Sequence, residues 1–386
     1  MSSMTLTHPF TGYDQLDESF SSSPYHKGLS SSSLDTRRLI EEYNYKRFGS
    51  LTQIWEEKEG IDKKALPKFA DLTPYAVILD QETLGSCAAN CAAQAIRVVK
   101  TIQLINLQPT MSIRDAKRQI STLSRLYTYY YTRQYDSQEG QDLTQEDCGT
   151  SIASTLWSLH HQGAPNEEEW PYDIKKFKDM PPRKVNAHAK HNQVLSDFHS
   201  EAIKVGHVSE IKSAIAQGYP VLAGIIFNER DYSHGYLKMP IHHKMKLGER
   251  HGVTILGYED HDKTNGYKGH FIAANCWGTK WGIKSYGQGG FFKIPYEFIK
   301  DSRLTLELWH ITAASLSDII ESPMVNPQFK LEHVDLEFLK YMMVVVHKDI
   351  SKIENSSLTR KSKSHNVEQL RADYDIILRT LHKLIA

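Results

Sequence analysis

The sequence predicts an α+β chain of two lobes, with helices collected in its first part, strands in its second, and a cleft between them. Three observations carry this expectation. Residues 87 to about 100 form an alanine-rich helical run with Ala at 88, 89, 92, 93 and 95, as suits a central helix that neighbours approach closely. Residues 124–133, with four tyrosines, and residues 152–160, ending near Gly163, read as second and third helices. Beyond about residue 205 the apolar runs 221–227, 253–258, 271–274 and 291–294 are short and β-branched or aromatic, and read as strands.

In chain order, residues 1 to about 34 are polar and rich in Ser, Thr and Gly, and are expected to lack fixed structure. Helical patterning begins at Asp35, a capping residue, with Leu39, Tyr43, Phe48 and Trp55 as apolar contacts. The tyrosines of 124–133 read as packing rather than ligand binding. After residue 315, Val367, Leu370, Tyr374, Ile377, Leu381 and Leu384 alternate three and four apart behind a capping Asn366 and Gln369. Arg379 and Lys383 suit the C-terminal end of that helix. An earlier stripe of Val334, Phe338, Tyr341 and Val345 completes a helical hairpin that either packs on the main body or offers a partner or dimer surface. The expected division is an N-terminal extension over 1–65, a main domain over 66–315 and a helical tail over 316–386.

Composition excludes some classes. Lys plus Arg and Asp plus Glu both number 46, so no global field points to nucleic acid or an anionic membrane. The N-terminus lacks the basic and apolar regions of a signal peptide, and the run 341–346 is far too short to span a bilayer. The expectation is a cytoplasmic protein, or one exported without a conventional signal. Four cysteines suit a reducing compartment. Cys87 and Cys91 share a helix face, but without a second pair they argue weakly for metal, and no cofactor is expected. His242, His243, His261 and His270 read as surface histidines, Arg250 as a solvated loop arginine, and Cys148 and Cys276 as reduced structural thiols.

The chemistry-bearing residues lie far apart. Gln81 stands six positions before Cys87, across a Gly-Ser turn, and Cys87 opens the alanine-rich helix. A thiol at a helix N-terminus meets unpaired N–H groups and a dipole that favour thiolate. If the loop folds back, the Gln81 amide and the Cys87 N–H form an oxyanion hole; otherwise Cys87 is one more small buried residue. His251 starts a strand-like run, and Asn275-Cys-Trp277-Gly-Thr-Lys-Trp281-Gly follows a second.

With Cys, His and Asn in that order, the chain resembles the papain-like cysteine peptidases (the C1 family), over roughly residues 66–315. The resemblance implies a papain-like fold of a helical lobe and an antiparallel β-barrel-like lobe. It assigns Cys87 as nucleophile, His251 as its imidazole partner, Asn275 as the residue orienting that ring, and Gln81 as the oxyanion-hole amide. Trp277 and Trp281 match the tryptophans around the asparagine, and Gly149, in Asp147-Cys-Gly-Thr, matches the cleft-lining glycine segment. Trp277 is expected to shield the His–Asn bond; Trp281 lines the leaving-group side or serves as core. Residues 163–165, Trp170-Pro-Tyr and the run from Pro220 add weaker matches.

Departures point to a divergent microbial or viral-type branch. Leu84 stands where secreted members carry a disulfide cysteine, Ala88 replaces the tryptophan after the nucleophile, Cys276 replaces a serine, and the loop from His251 to Asn275 is long. The implied reaction is peptide-bond hydrolysis through a thioester on a protein or peptide substrate. Acyl transfer or deamidation on the same fold, and a catalytically silent binding module, stay open as alternatives. The resemblance also places an inhibitory prosegment before the main domain; a structural brace is the other reading.

Overall fold

The computed structural model describes residues 29–30, 36, 40, 66–195, 198–240, 249–285 and 287–314. The expected capping and apolar positions from Asp35 to Trp55, the histidines 242 and 243, and the whole tail after residue 314 lie outside the described residues.

The alanine-rich run forms α1, Cys87–Leu107, longer than predicted because Thr101 and Leu104 continue its buried face. Ser112 caps α2, Ile113–Gln119, which the sequence reading missed. Ser124 caps α3, Arg125–Asp136, by accepting from the Tyr127 N–H, and Ser151 caps α4, Ile152–Gln162, in the same way. α4 ends where Gly163 takes φ +68°, a conformation glycine adopts without strain. α5 (Arg183–Leu195), α6 (Val208–Ala216) and α7 (Tyr296–Lys300) follow.

The strands are β1 (Phe69–Asp71), β2 (Phe198–Ile203), β3 (Val221–Phe227), β4 (Tyr232–Ser233), β5 (Tyr236–Leu237), β6 (Glu249–Glu259), β7 (His270–Ala274), β8 (Ile283–Ser285), β9 (Gln288–Pro295) and β10 (Thr305–Ala314). They join in the order β2-β10-β3-β6-β7-β9-β5-β4, with β1 on β6 and β8 on β9. All these pairs are antiparallel except β5 with β9. Among the described residues the sheet is open, ending on β2 and β4, so the expected barrel-like closure is corrected to a large open sheet. The mixed α+β architecture is as the sequence predicts.

β6 is the hinge of the layout. Its residues 251–258 are all buried, between β3 and β7 in the sheet and under α1. Its register sets His251 opposite Ile225 and Gly252 opposite Gly224. A Cβ added at Gly252 would lie 3.4 Å from Cys91 Sγ and 3.5 Å from both Ala88 N and the Cys87 carbonyl carbon. Small residues on both elements thus let the start of α1 rest directly on the strand that carries His251.

The segment before Gly149 is organised by a buried arginine. Arg133, fully buried on α3, donates to the carbonyls of Leu143, Thr144, Glu146 and Phe177, and stacks 4.1 Å over the Tyr129 ring. It therefore fixes the segment that leads to Gly149. Arg133→Met, leaving those carbonyls without a donor, is expected to lower the unfolding free energy by about 3–5 kcal/mol in urea titrations. At the end of α3, burial raises the Asp136 carboxyl to about 6, against a hydrogen bond from Ser154. A raised carboxyl favours the protonated folded state, so this stabilisation is lost as pH climbs from the unfolded value through about 6. Asp136→Asn is expected to flatten that decline in urea midpoint while matching the parent below it.

Candidate active site

The loop before α1 is stapled to the segment after β7. Asp80 bridges Trp277, Gln81 N–H donates to Cys276 O at 2.8 Å, and Gly278 N–H donates to Leu79 O at 3.0 Å. Glu82 turns the chain at φ +52°, its N–H held by Asp80 Oδ1 at 2.9 Å. Gln81 is fully buried and engaged at each polar group. Its Nε2 donates to Leu84 O at 2.8 Å, its Oε1 accepts from Cys276 Sγ at 2.8 Å, and its backbone carbonyl accepts from Tyr172 Oη at 2.9 Å. Leu84 takes one of the two amide hydrogens. The Ser86 side chain makes no capping hydrogen bond to α1, whose N-terminal dipole end lies at Cys87.

On β6, His251 is buried and its Nε2 lies 2.7 Å from Asn275 Oδ1. The Cys276 N–H donates to the same Oδ1 at 2.8 Å, which fixes the amide orientation and makes Nε2 the protonated nitrogen. Nδ1 is then the basic nitrogen of the neutral ring. Trp277, almost fully buried, lies 4.9 Å from the imidazole between centroids, and Phe227 meets both rings edge-on. Trp281 is half-buried, stacked at 4.9 Å on Tyr232 and edge-on to Trp277 at 5.1 Å. It belongs to an aromatic wall with one side toward solvent.

Cys87, Cys91 and Cys276 are buried and unbridged. Burial pushes the Cys276 thiol well above its ordinary value, with the nearby Cys91 and Cys87 thiols adding to the shift. Three expectations need correction. Cys148, next to the turn at Gly149, is exposed rather than packed in the interior. His270 is buried, its Nδ1 facing Asp262 O at 3.1 Å, because β7 runs inside the sheet. Arg250 is a half-buried residue of β6 rather than a loop arginine. Among the described residues no group of three or more His, Cys, Asp or Glu is arranged to hold a metal ion, and no helix is long and apolar enough to cross a membrane.

Gly149 takes φ +71°, and its N–H donates to Tyr129 Oη at 3.0 Å. Across from it the chain brings in its own N-terminal segment. Leu29 N–H donates to Arg250 O at 3.3 Å, Ser30 N–H donates to Thr150 O at 3.1 Å, and Leu29 pairs in parallel with Thr150. The buried Leu29 side chain fills the space over Gly224, its Cδ2 2.7 Å from where a Cβ there would stand. Glu307 sits beside it, but its oxygens accept from the Ile152 and Ala153 N–H groups and from Trp309 Nε1.

Several residues of the site escaped the sequence reading. Arg125 donates to Glu167, to Asp80 O at 2.8 Å and to Asn90 Oδ1 at 2.7 Å, and lies 3.9 Å over the Tyr172 ring. Tyr172 gives its hydrogen to Gln81 O, so Ser86 Oγ donates to the Tyr172 oxygen. The available signal was slight: a charged residue directly after a capping serine, on an otherwise aromatic helix.

The sequence pattern described as papain family cysteine protease matches residues 133–295, a span that contains His251, Asn275, Trp277 and Trp281 and begins after Cys87. An uncharacterised peptidase C1-like protein of Acanthamoeba polyphaga mimivirus is 29% identical over 270 residues, which is 68% of this chain and 76% of that protein. Xylellain, a cysteine protease from Xylella fastidiosa, superposes with a TM-score of 0.51 at 25% identity, covering 65% of this chain and 88% of its own.

The ring geometry makes its own prediction. The His251 Nε2 proton is expected to appear in NMR spectra as a slowly exchanging imidazole resonance, to vanish in Asn275→Ala, and to exchange faster in Trp277→Ala.

Proposed function

We propose that this chain, a member of the papain family of cysteine proteases, hydrolyses peptide bonds with Cys87 as nucleophile and His251 as its acid–base partner. The Cys87 sulfur, its proton passed to His251 Nδ1, attacks the substrate carbonyl carbon. One Gln81 Nε2 hydrogen and the Cys87 N–H stabilise the oxyanion that forms. His251 returns the proton to the amine nitrogen as the C–N bond breaks, leaving a thioester on Cys87. Water then attacks that thioester while giving a proton to His251; the acid leaves and the thiol is restored. Asn275 keeps the ring turned by holding Nε2, and Trp277 keeps water from that bond. Gly149 and Trp281 belong to opposite walls of the substrate groove.

The observation that carries this reading is the Leu29–Ser30 backbone. Two residues of this chain, Leu29 and Ser30, already donate to the carbonyl beside His251 and to the carbonyl beside Gly149. A groove that accepts one peptide by main-chain hydrogen bonds is suited to another. The same contacts support reading residues 1–65 as a self-inhibitory segment whose leucine occupies the groove, ahead of a catalytic domain over 66–315.

An active-site-directed epoxide at neutral pH is expected to label Cys87 selectively, and to lose that selectivity on denaturation. His251→Ala is expected to lower kcat by about 10²–10⁴-fold, the span of general acid–base catalysis. A peptide-library digest read by mass spectrometry should show cleaved backbones. Mass shifts on intact peptides would point instead to transfer or deamidation, and uniform slow labelling of several cysteines to a binding module. Leu29→Glu in the full chain is expected to raise kcat/KM for peptide substrates; an unchanged value would remove the self-inhibitory reading.

A further inference from the structure

The segment before α1 carries no cystine to fasten it: Leu84 stands three residues before Cys87, and Cys87, Cys91, Cys148 and Cys276 are all unbridged. A carboxylate does the fastening. Asp147 accepts the Gly85 N–H through Oδ1 at 2.9 Å and Oδ2 at 3.2 Å. The Leu84–Gly85 peptide unit is thereby held at both ends. Its N–H goes to Asp147, while its C=O accepts Gln81 Nε2 at 2.8 Å and the Ser86 N–H at 2.8 Å. A charged acceptor on the N–H polarises the peptide and strengthens the carbonyl as an acceptor. The Gln81 carboxamide is thus aimed by a group two hydrogen bonds away.

The same carboxylate reaches the opposite wall. Tyr129, fully buried, donates its O–H to Asp147 Oδ1 at 2.6 Å and accepts the Gly149 N–H at 3.0 Å. Burial, with the adjacent carboxylate, pushes the Tyr129 phenol far above its ordinary value, so it remains a donor throughout the working range. The Arg133 guanidinium, stacked on the Tyr129 ring, holds the phenol in place from behind.

We infer that Asp147 is a positioning residue for the proposed reaction, linking the oxyanion donor Gln81 through the Leu84–Gly85 peptide to the groove residue Gly149 through Tyr129. The inference rests on the peptidase reading. Its two arms separate kinetically. The Gly85 arm acts on a group that matters as charge develops, so its loss falls on kcat. The Tyr129 arm acts on a wall that holds substrate before and during reaction, so its loss falls on KM.

The test is steady-state peptide cleavage by the full chain and three variants, with thermal unfolding measured on each. Asp147→Ala is expected to lower kcat by about 10–100-fold, the cost of misplacing a reacting group by about 1 Å. Asp147→Asn, which keeps one oxygen for Gly85, is expected to restore most of that loss. Tyr129→Phe, which keeps the carboxylate on Gly85, is expected to raise KM with kcat within about twofold. If Asp147→Ala does not fold, the Asn and Phe variants still decide, since equal losses in kcat and KM would overturn the assignment. An active parent whose variants match it in both constants would overturn this inference alone. A parent that cleaves no peptide would overturn the reading beneath it, and this inference with it.

Discussion

The structure depends on one close approach, the seating of the α1 N-terminus on Gly252 of β6. No side chain at position 252 keeps the helix off the strand, and Ala88 and Cys91 offer little bulk from the other side. The helix brings Cys87 at its first position; the strand brings His251 already tied to Asn275. Either element alone is ordinary. Their contact is what turns a buried thiol and a buried imidazole, 164 residues apart in the chain, into candidates for one reaction.

Around this seat the chain relies on polar groups rather than covalent bridges. Arg125 joins Glu167, Asp80 and Asn90 beneath the loop, Asp147 holds Gly85 above it, and Arg133 gathers four carbonyls behind the far wall. Burying such charges yields little net stability, because desolvation offsets the attraction. What they supply is direction, since a guanidinium or carboxylate satisfied at several atoms tolerates few alternative geometries. That is the quality the loop before α1 needs if it is to hold Gln81 in one orientation.

Much of this was legible in the residues. The helix starting at Cys87, the strand 221–227 and the order Cys, His, Asn come from residue types whose chemistry is distinctive at any position. The strand Thr305–Ala314 was missed, as its polar Glu307 and His310 interrupt the apolar alternation; both turn out to be satisfied by partners distant in sequence. Asp147 and Arg125 were illegible as site residues for a related reason. Their partners are backbone amides and carbonyls, which every sequence contains and no sequence marks. The tyrosines of α3 read correctly as packing for Tyr127 and Tyr131, whose rings meet at 4.6 Å, but Tyr129 also carries a hydrogen-bond relay that spacing does not reveal. Leu29 lay within a stretch whose composition argued for no fixed structure, yet one leucine found a glycine-floored recess.

The most direct measurement is a size series at position 252, reading peptide-cleavage kcat and confirming folding by thermal unfolding. Alanine places its methyl at 3.4–3.5 Å from α1, ordinary contact distance, and is expected to keep kcat within about threefold. Valine adds methyls that α1 must move to admit, and is expected to lower kcat by about 100-fold while the protein stays folded. A folded Gly252→Val protein as active as Gly252→Ala would contradict the account, because helix and strand would then not need to touch for the chemistry to proceed.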